Sequence, residues 1–95
     1  MTGSKLQEEI MEYLRKAGYL VWKNHNYSKR GRTLGYLKGL PDIFAIKHGR
    51  FFAIEVKGAG DKPSIDQINW IQKMLGAGAI AFVAKSLKDV RAMGL

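Results

Sequence analysis

Apolar residues near the start of the chain recur at the spacing of one face of an amphipathic helix. The positions are Leu6, Ile10, Tyr13, Leu14 and Ala17. Ser4 suits the N-cap because Gln7 stands three residues later, as in a capping box, and Gly18 ends the pattern. This pattern predicts a first helix over residues 5–17.

Three short apolar runs rich in β-branched and aromatic residues come next, at residues 19–22, 41–46 and 51–56. Runs of this length and composition predict strands. Residues 47–50 join the last two runs, and Gly49 among them predicts a hairpin turn.

A polar and strongly basic stretch separates the first run from the second, over residues 23–39. We interpret it as a long loop, and loops of this length in small domains are usually functional or disordered. Its cations can contact a phosphate backbone without reading sequence, whereas the alternative is a charge run that only faces solvent. The predicted DNA contacts are Lys23, Lys29, Arg30, Arg32 and Lys38.

The second half of the chain begins with another helix signal. Pro63 and Ser64 open the pattern, and two glycines, Gly76 and Gly78, bracket its end. Between them a mostly apolar stripe recurs at helical spacing. Its members are Ile65, Ile68, Gln72 and Leu75, with Ile71 beside them.

The remaining residues predict one more strand and a short helix. Residues 79–84 form a continuous apolar run, which is typical of a strand buried on both faces. Ser86 then suits the N-cap of a terminal helix. Helix, strand, loop, two strands, helix, strand and helix together predict one α/β domain over residues 1–95, with a mixed sheet flanked by helices.

The net charge of the chain indicates which kind of macromolecule it binds. The chain has 16 Lys and Arg against 8 Asp and Glu, a formal charge of +8, and this excess favours polyanions. A membrane surface requires a basic amphipathic helix, whereas the basic residues here cluster in the predicted loop. Nucleic acid is therefore the expected partner, and a membrane is not.

The residue types and motifs that the sequence lacks indicate which compartment and cofactors to expect. The chain has no cysteine, so disulfides and thiolate metal sites are excluded. No apolar run approaches the roughly 18 residues of a membrane span, and acids stand where a signal peptide would be apolar. We expect a soluble cytoplasmic chain. No phosphate-binding glycine loop occurs, so no nucleotide cofactor is expected.

Three charged residues are predicted to meet at one end of the hairpin. Asp42 stands at the start of one strand, and Glu55 and Lys57 stand near the end of the next. The last two are two residues apart and so share a face. The hairpin places Asp42 beside their end, at a strand spacing of about 4.8 Å.

Two explanations fit this group. A buried pair of carboxylates is costly unless positive charge stands between its members, and a hard cation such as Mg²⁺ supplies that charge. Lys57 would then orient or deprotonate a water molecule, or stabilise charge on a phosphate. Alternatively, Lys57 forms an ordinary cross-strand salt bridge on a solvated face. The three residues alone do not decide between a metal site and a salt bridge.

The stretch over residues 39–58 resembles the PD-(D/E)XK nuclease superfamily through Pro41-Asp42 and Glu55-Val56-Lys57. The rest of the chain resembles one branch of it, the VRR-NUC (virus-type replication-repair nuclease) family, in a stand-alone phage-like form. The matching segments are LRKAGYLVWK, KGLPD, the E-V-K strand, PSIDQINWIQKMLGAGA and AIAFVAKS. The resemblance covers nearly all of the chain in order, and it implies a restriction-endonuclease-like core.

The resemblance also implies roles for single residues. Asp42 and Glu55 would bind the catalytic Mg²⁺, or Mn²⁺ in its place, with the backbone carbonyl of Val56 as a third ligand. Lys57 would be the catalytic lysine. Gln67 matches the helical glutamine of the family, where it would position DNA or the lysine.

Related nucleases also place an acid or an amide of the first helix at the site. Gln7 matches best by its distance from Gly18, and Glu8 is the adjacent acid. Gln7 cannot supply the charge of a carboxylate, and Glu8 fits a solvated helix face equally well. Both therefore stay candidates.

The resulting hypothesis is a metal-dependent endonuclease that hydrolyses phosphodiester bonds in branched DNA, such as four-way junctions, as a homodimer. One alternative is a nicking or homing-type nuclease that acts on duplex DNA. A second is a non-catalytic DNA-binding module that keeps the fold and the basic loop. A third, a basic structural or RNA-binding protein, leaves the strand carboxylates without a purpose.

Overall fold

Helices and strands follow one another in the predicted order. The computed structural model describes residues 3–24 and 38–95. Its elements are α1 (Gly3–Lys16), β1 (Leu20–Lys23), β2 (Ile43–Lys47), β3 (Arg50–Val56), α2 (Ile65–Gly76), β4 (Ile80–Ala84) and α3 (Leu87–Ala92). Lys23, which we had placed in the basic loop, ends β1. The other predicted DNA contacts of that loop, apart from Lys38, lie outside the described residues.

The four strands form one mixed sheet in the order β1-β2-β3-β4. The first three are antiparallel neighbours, whereas β3 and β4 are parallel and connected through α2. His48 and Gly49 form the turn between β2 and β3, with φ of 51° and 76°. Two positive φ values at the centre of a two-residue turn match the twist of the flanking strands. The predicted hairpin and mixed sheet are confirmed.

The hydrophobic core lies between one face of the sheet and the helices α1 and α3. Alternation along β2 and β3 directs every second side chain to this face. The buried apolar side chains of the core are Leu6, Ile10, Met11, Leu14, Ile43, Ala45, Phe52, Ile54, Val56, Ala84 and Val90. The opposite face, which carries Glu55, is covered by α2 only over β3 and β4.

The apolar stripe of α2 does not pack on the sheet. Ile65, Ile68 and Leu75 are exposed, and α2 has no fully buried residue. The side of α2 that is half-buried carries Gln67, Trp70, Ile71 and Met74 instead. In this orientation Gln67 donates to Glu55 on β3.

Two boundary predictions need correction. α1 begins at Gly3, so Ser4 lies in its first turn instead of preceding it, a difference within the usual uncertainty of helix ends. β4 is covered on both faces but less completely than predicted, since Ala81 and Ala84, on opposite faces, are fully buried and its other three residues are half-buried. The reason is that β4 forms an edge of the sheet. None of the described helices is long and apolar enough to span a bilayer.

Two isoleucines on helices provide a matched test of this core. Ile10 is 0% exposed and Ile65 is 78% exposed. Ile10→Ala should lower the free energy of unfolding by about 2–5 kcal/mol, because it removes buried methyl groups and leaves a cavity. Ile65→Ala should change it by less than about 0.5 kcal/mol. Urea denaturation followed by circular dichroism measures both, and equal losses would contradict the assigned core.

Candidate active site

The hairpin register brings Asp42 next to Glu55. Ile43 pairs with Ile54, so the preceding residue, Asp42, lies opposite Glu55 on the same face. The carboxylate of Asp42 accepts a hydrogen bond of 2.9 Å at Oδ2 from the backbone N–H of Val56. The predicted meeting of the two carboxylates at one end of the hairpin is present in the structure.

Glu55 is buried, with 1% of its surface exposed. Its Oε2 accepts a hydrogen bond of 2.9 Å from Gln67 Nε2 and lies 3.4 Å from Lys57 Nζ. Its Oε1 is buried without a hydrogen-bond partner among the residues that the structure describes. A salt bridge on a solvated face, the alternative left open by the sequence, therefore does not describe this group.

Burial raises the pKa of Glu55 to about 8. Taking a carboxylate out of water disfavours its charged form. The negative charge of Asp42 and a hydrogen bond with it add to this effect, whereas Lys57 lowers the pKa. One ammonium group does not balance two adjacent carboxylates, so in the metal-free protein Glu55 retains a proton near neutral pH.

Lys57 follows β3 and lies on the same face as Glu55. Its backbone N–H donates 3.0 Å to the carbonyl of Ala84, which continues the pairing with β4 past the end of the strand. The Lys57 side chain is largely buried but not enclosed. Lys57 is therefore fixed at its backbone while its ammonium group lies between Glu55 and solvent.

Gln67 enters the site from the first turn of α2. Ser64 is the N-cap of this helix, and a reciprocal capping box joins Ser64 and Gln67. The same Gln67 side chain donates to Glu55. The family resemblance predicted that Gln67 positions DNA or Lys57, whereas in the structure its side chain contacts Glu55.

A family model of the VRR-NUC domain matches residues 2–88 of the chain. The chain belongs to the VRR-NUC family. Among curated proteins, none matches this sequence. The family predicted from segments spread over nearly the whole chain is thereby confirmed.

Solved structures agree with this VRR-NUC assignment. A VRR-NUC domain is 27% identical, has a TM-score of 0.72, and covers 98% of this chain and 95% of its own. The Holliday junction resolvase Hjc of Archaeoglobus fulgidus, an archaeal hyperthermophile, is 25% identical with a TM-score of 0.66, over 88% of this chain and 68% of that one. A further VRR-NUC domain protein, 22% identical with a TM-score of 0.65 over 97% and 84%, shares the fold. The predicted restriction-endonuclease-like fold is confirmed.

The two first-helix candidates differ in their surroundings. Gln7 is 8% exposed, whereas Glu8 is exposed on α1. Among the described residues, no third His, Asp or Glu joins Asp42 and Glu55 in a cluster.

Asn24 holds the segment that carries Asp42, a role that no pattern in the sequence predicted. Its side-chain Nδ2 donates 2.8 Å to the carbonyl of Pro41, and its backbone N–H donates 2.7 Å to the carbonyl of Asp42. Asn24 was read as part of the basic loop. Its role follows from the pairing of β1 with β2. Lys23 pairs with Ile43, so the next residue, Asn24, lies beside Asp42.

The raised pKa of Glu55 predicts how the stability of the metal-free protein depends on pH. The unfolded carboxyl loses its proton near its ordinary pKa of 4.5, while the folded one keeps it up to about 8. Between these values the native state binds more protons, so the free energy of unfolding falls as pH rises. The slope is at most about 1.4 kcal/mol per pH unit.

Urea denaturation in EDTA at several pH values measures this slope, and Glu55→Gln is its control. The amide cannot titrate, so the variant should lack this contribution between pH 5 and pH 8. Parallel pH profiles of the two proteins would show that Glu55 is not held in its neutral form.

Proposed function

We propose that this chain is a divalent-metal-dependent endonuclease that cleaves branched DNA, such as four-way junctions, at a site formed by Asp42, Glu55 and Lys57. A nuclease that acts on DNA is what membership of the VRR-NUC family indicates. The metal, the branched substrate and the residue roles are our proposal. The observation that carries it is the buried Glu55 carboxylate next to Asp42, one oxygen of which has no hydrogen-bond partner among the described residues.

The donor set fits a hard cation. Two carboxylates converge, one buried oxygen lacks a partner in the part of the chain that the structure describes, and Mg²⁺ and Mn²⁺ prefer oxygen ligands. Asp42 and Glu55 would hold the cation. The N–H of Val56 points to Asp42, and the carbonyl of the same strand residue points to the same side. Val56 is therefore our third ligand.

Each group then has a defined task in phosphodiester hydrolysis. A bound divalent cation would neutralise charge on the scissile phosphate and lower the pKa of water. Asp42 and Glu55 would hold it at the sheet edge. Lys57, whose ammonium lies between Glu55 and solvent, would donate to the phosphate oxygens as negative charge develops. From α1 we retain Gln7 as the candidate in preference to Glu8, since Glu8 is exposed, although α1 packs on the face of the sheet opposite to Glu55.

The basic residues between β1 and Asp42 in the sequence would hold the DNA backbone. Lys23 and Lys38 are exposed, and we retain Lys29, Arg30 and Arg32 from the sequence as further DNA contacts. Lys38 lies 3.6 Å from the carboxylate of Asp66. An ion pair this exposed contributes little, so a phosphate group can replace Asp66 as the partner of Lys38.

The Hjc neighbour supports a branched substrate, because its name describes a Holliday junction resolvase. A four-way junction has two-fold symmetry, and each chain supplies one site. Two copies related by a two-fold axis would therefore place one site on each of two strands. We propose that the chain works as a homodimer.

An apolar patch on the Glu55 face supports this homodimer. α2 leaves β1 and β2 uncovered there, so Leu20 is 66% and Trp22 is 37% exposed. Trp22, Phe44 and Phe51 pack edge to face, with ring centroids 4.9–6.4 Å apart. Aromatic side chains of this kind are enriched where one protein surface covers another.

Catalysis by Lys57 predicts a specific loss. Lys57→Ala should lower the cleavage rate of a synthetic four-way junction in Mg²⁺ by about 100-fold or more, because it removes a donor to the transition state. Junction binding should change little. Lys88→Ala removes an exposed lysine on α3 and should cleave like the parent protein.

Gel-based cleavage of the junction and of a plasmid, each in Mg²⁺ and in EDTA, separates the alternatives. Faster cutting of the junction supports branched DNA as substrate, whereas equal or faster nicking of the plasmid favours a duplex nuclease. Tight binding without cutting in Mg²⁺ or Mn²⁺ would reject the enzyme and leave a DNA-binding module.

A charge placed in the apolar patch should separate the homodimer. We expect the parent chain to have twice its monomer mass in light scattering after size exclusion, and Trp22→Asp to have the monomer mass. Met93→Asp is the control, since Met93 is an exposed apolar residue after α3. A monomeric parent chain, or a dimeric Trp22→Asp variant, would contradict this interface.

A further inference from the structure

One side-chain amide connects the start of α2 to the candidate metal carboxylate. The Oε1 of Gln67 accepts 2.7 Å from the backbone N–H of Ser64, and its Nε2 donates 2.9 Å to Glu55 Oε2. A backbone N–H can only donate, so the amide oxygen must face Ser64. The NH₂ group of Gln67 therefore faces Glu55 and no other orientation satisfies both partners.

The amide is also the better of the two contacts to Glu55 Oε2. Lys57 Nζ lies 3.4 Å away, longer than the usual N–H···O distance of about 2.9–3.0 Å. Gln67 Nε2 lies at 2.9 Å. With Oε2 held by a directed hydrogen bond, the carboxylate cannot exchange its two oxygens freely. Oε1 is left as the oxygen without a partner among the described residues.

Gly39 makes a close backbone contact with the first turn of α2. Gly39 has φ of 83°, and a Cβ at this position would lie 2.6 Å from the backbone carbon of Asp66 and 2.7 Å from the backbone nitrogen of Gln67. Gly39 stands three residues before Asp42, so the segment that carries one metal carboxylate touches the turn that positions the other. No other residue type fits this gap without displacing the turn.

We infer that Gln67 is a positioning residue, which the capping box and the Gly39 contact hold against Glu55 Oε2 so that Oε1 faces a divalent cation. This inference rests on the metal site of the proposed function. It gives Gln67 a different target from DNA or the lysine, and it predicts that Glu55 binds the cation through one oxygen.

The test is the affinity of the metal-free protein for Mn²⁺, measured by calorimetry without DNA. Gln67→Met keeps the length of the side chain and removes the amide, and loss of such a partner typically weakens metal binding about 10–100-fold. Ser86→Ala removes the comparable N-cap bond of α3, away from the site. It should lower stability towards urea but leave Mn²⁺ affinity within about threefold of the parent.

Two glycine substitutions test the contact between Gly39 and the first turn of α2 without changing a side chain of the site. Gly39→Ala and Gly49→Ala both introduce a Cβ at positive φ, 83° and 76°. At Gly49 nothing lies within 4 Å of the added atom. Gly39→Ala should therefore weaken Mn²⁺ binding by about tenfold or more, because it displaces Gln67, the residue that hydrogen-bonds the proposed metal ligand Glu55. Gly49→Ala should not weaken it, although both variants are strained.

The outcomes separate this inference from the proposed nuclease. Unchanged Mn²⁺ affinity in Gln67→Met would overturn it, as would equal losses in Gln67→Met and Ser86→Ala. A raised KM for the junction with unchanged Mn²⁺ affinity would assign Gln67 to DNA instead. A parent chain that binds Mn²⁺ but cuts no DNA, with weaker Mn²⁺ binding in Gln67→Met, would leave the inference standing and reject the nuclease. A parent chain that binds no Mn²⁺ overturns both.

Discussion

A carboxylate buried in an interior strand of the sheet determines the rest of the active site. Burying a charge costs several kcal/mol unless hydrogen bonds and opposite charge compensate it. Glu55 is compensated on one oxygen only, by Gln67 and Lys57, and Asp42 next to it adds repulsion. A sheet selected for stability alone would place an apolar residue there. The cost of this burial is the physical basis for the cation that we propose at the site.

The orientation of α2 follows from the same carboxylate. For Gln67 to reach Glu55, the helix must turn its first-turn amide to the sheet, and Ile68 and Leu75 then face away from it. The capping box serves two purposes at once, because it both begins the helix and orients the amide. The exposed positions of Ile65, Ile68 and Leu75 accompany this orientation.

The turn between β2 and β3 fixes the register that places Asp42 beside Glu55. Because side chains alternate between faces, a slip of one residue between β2 and β3 would move Asp42 and Glu55 to opposite faces of the sheet. The two-residue turn at His48 and Gly49 permits only one register. Asn24 adds a second restraint by binding the carbonyls of Pro41 and Asp42. The carboxylate pair is therefore held by backbone geometry before any ligand binds.

Sequence alone determined the order of the elements, the hairpin, the mixed sheet and the meeting of Asp42 with Glu55, because these depend on periodicity, caps and turn residues that are neighbours along the chain. Family membership followed from segments spread over the whole length. Only the tertiary structure decided that Gln67 binds Glu55, that the stripe of α2 is exposed and that β4 is an edge strand. Those facts depend on how a helix is rotated on a sheet, and contacts between residues far apart in the chain, which no local pattern contains, set that rotation.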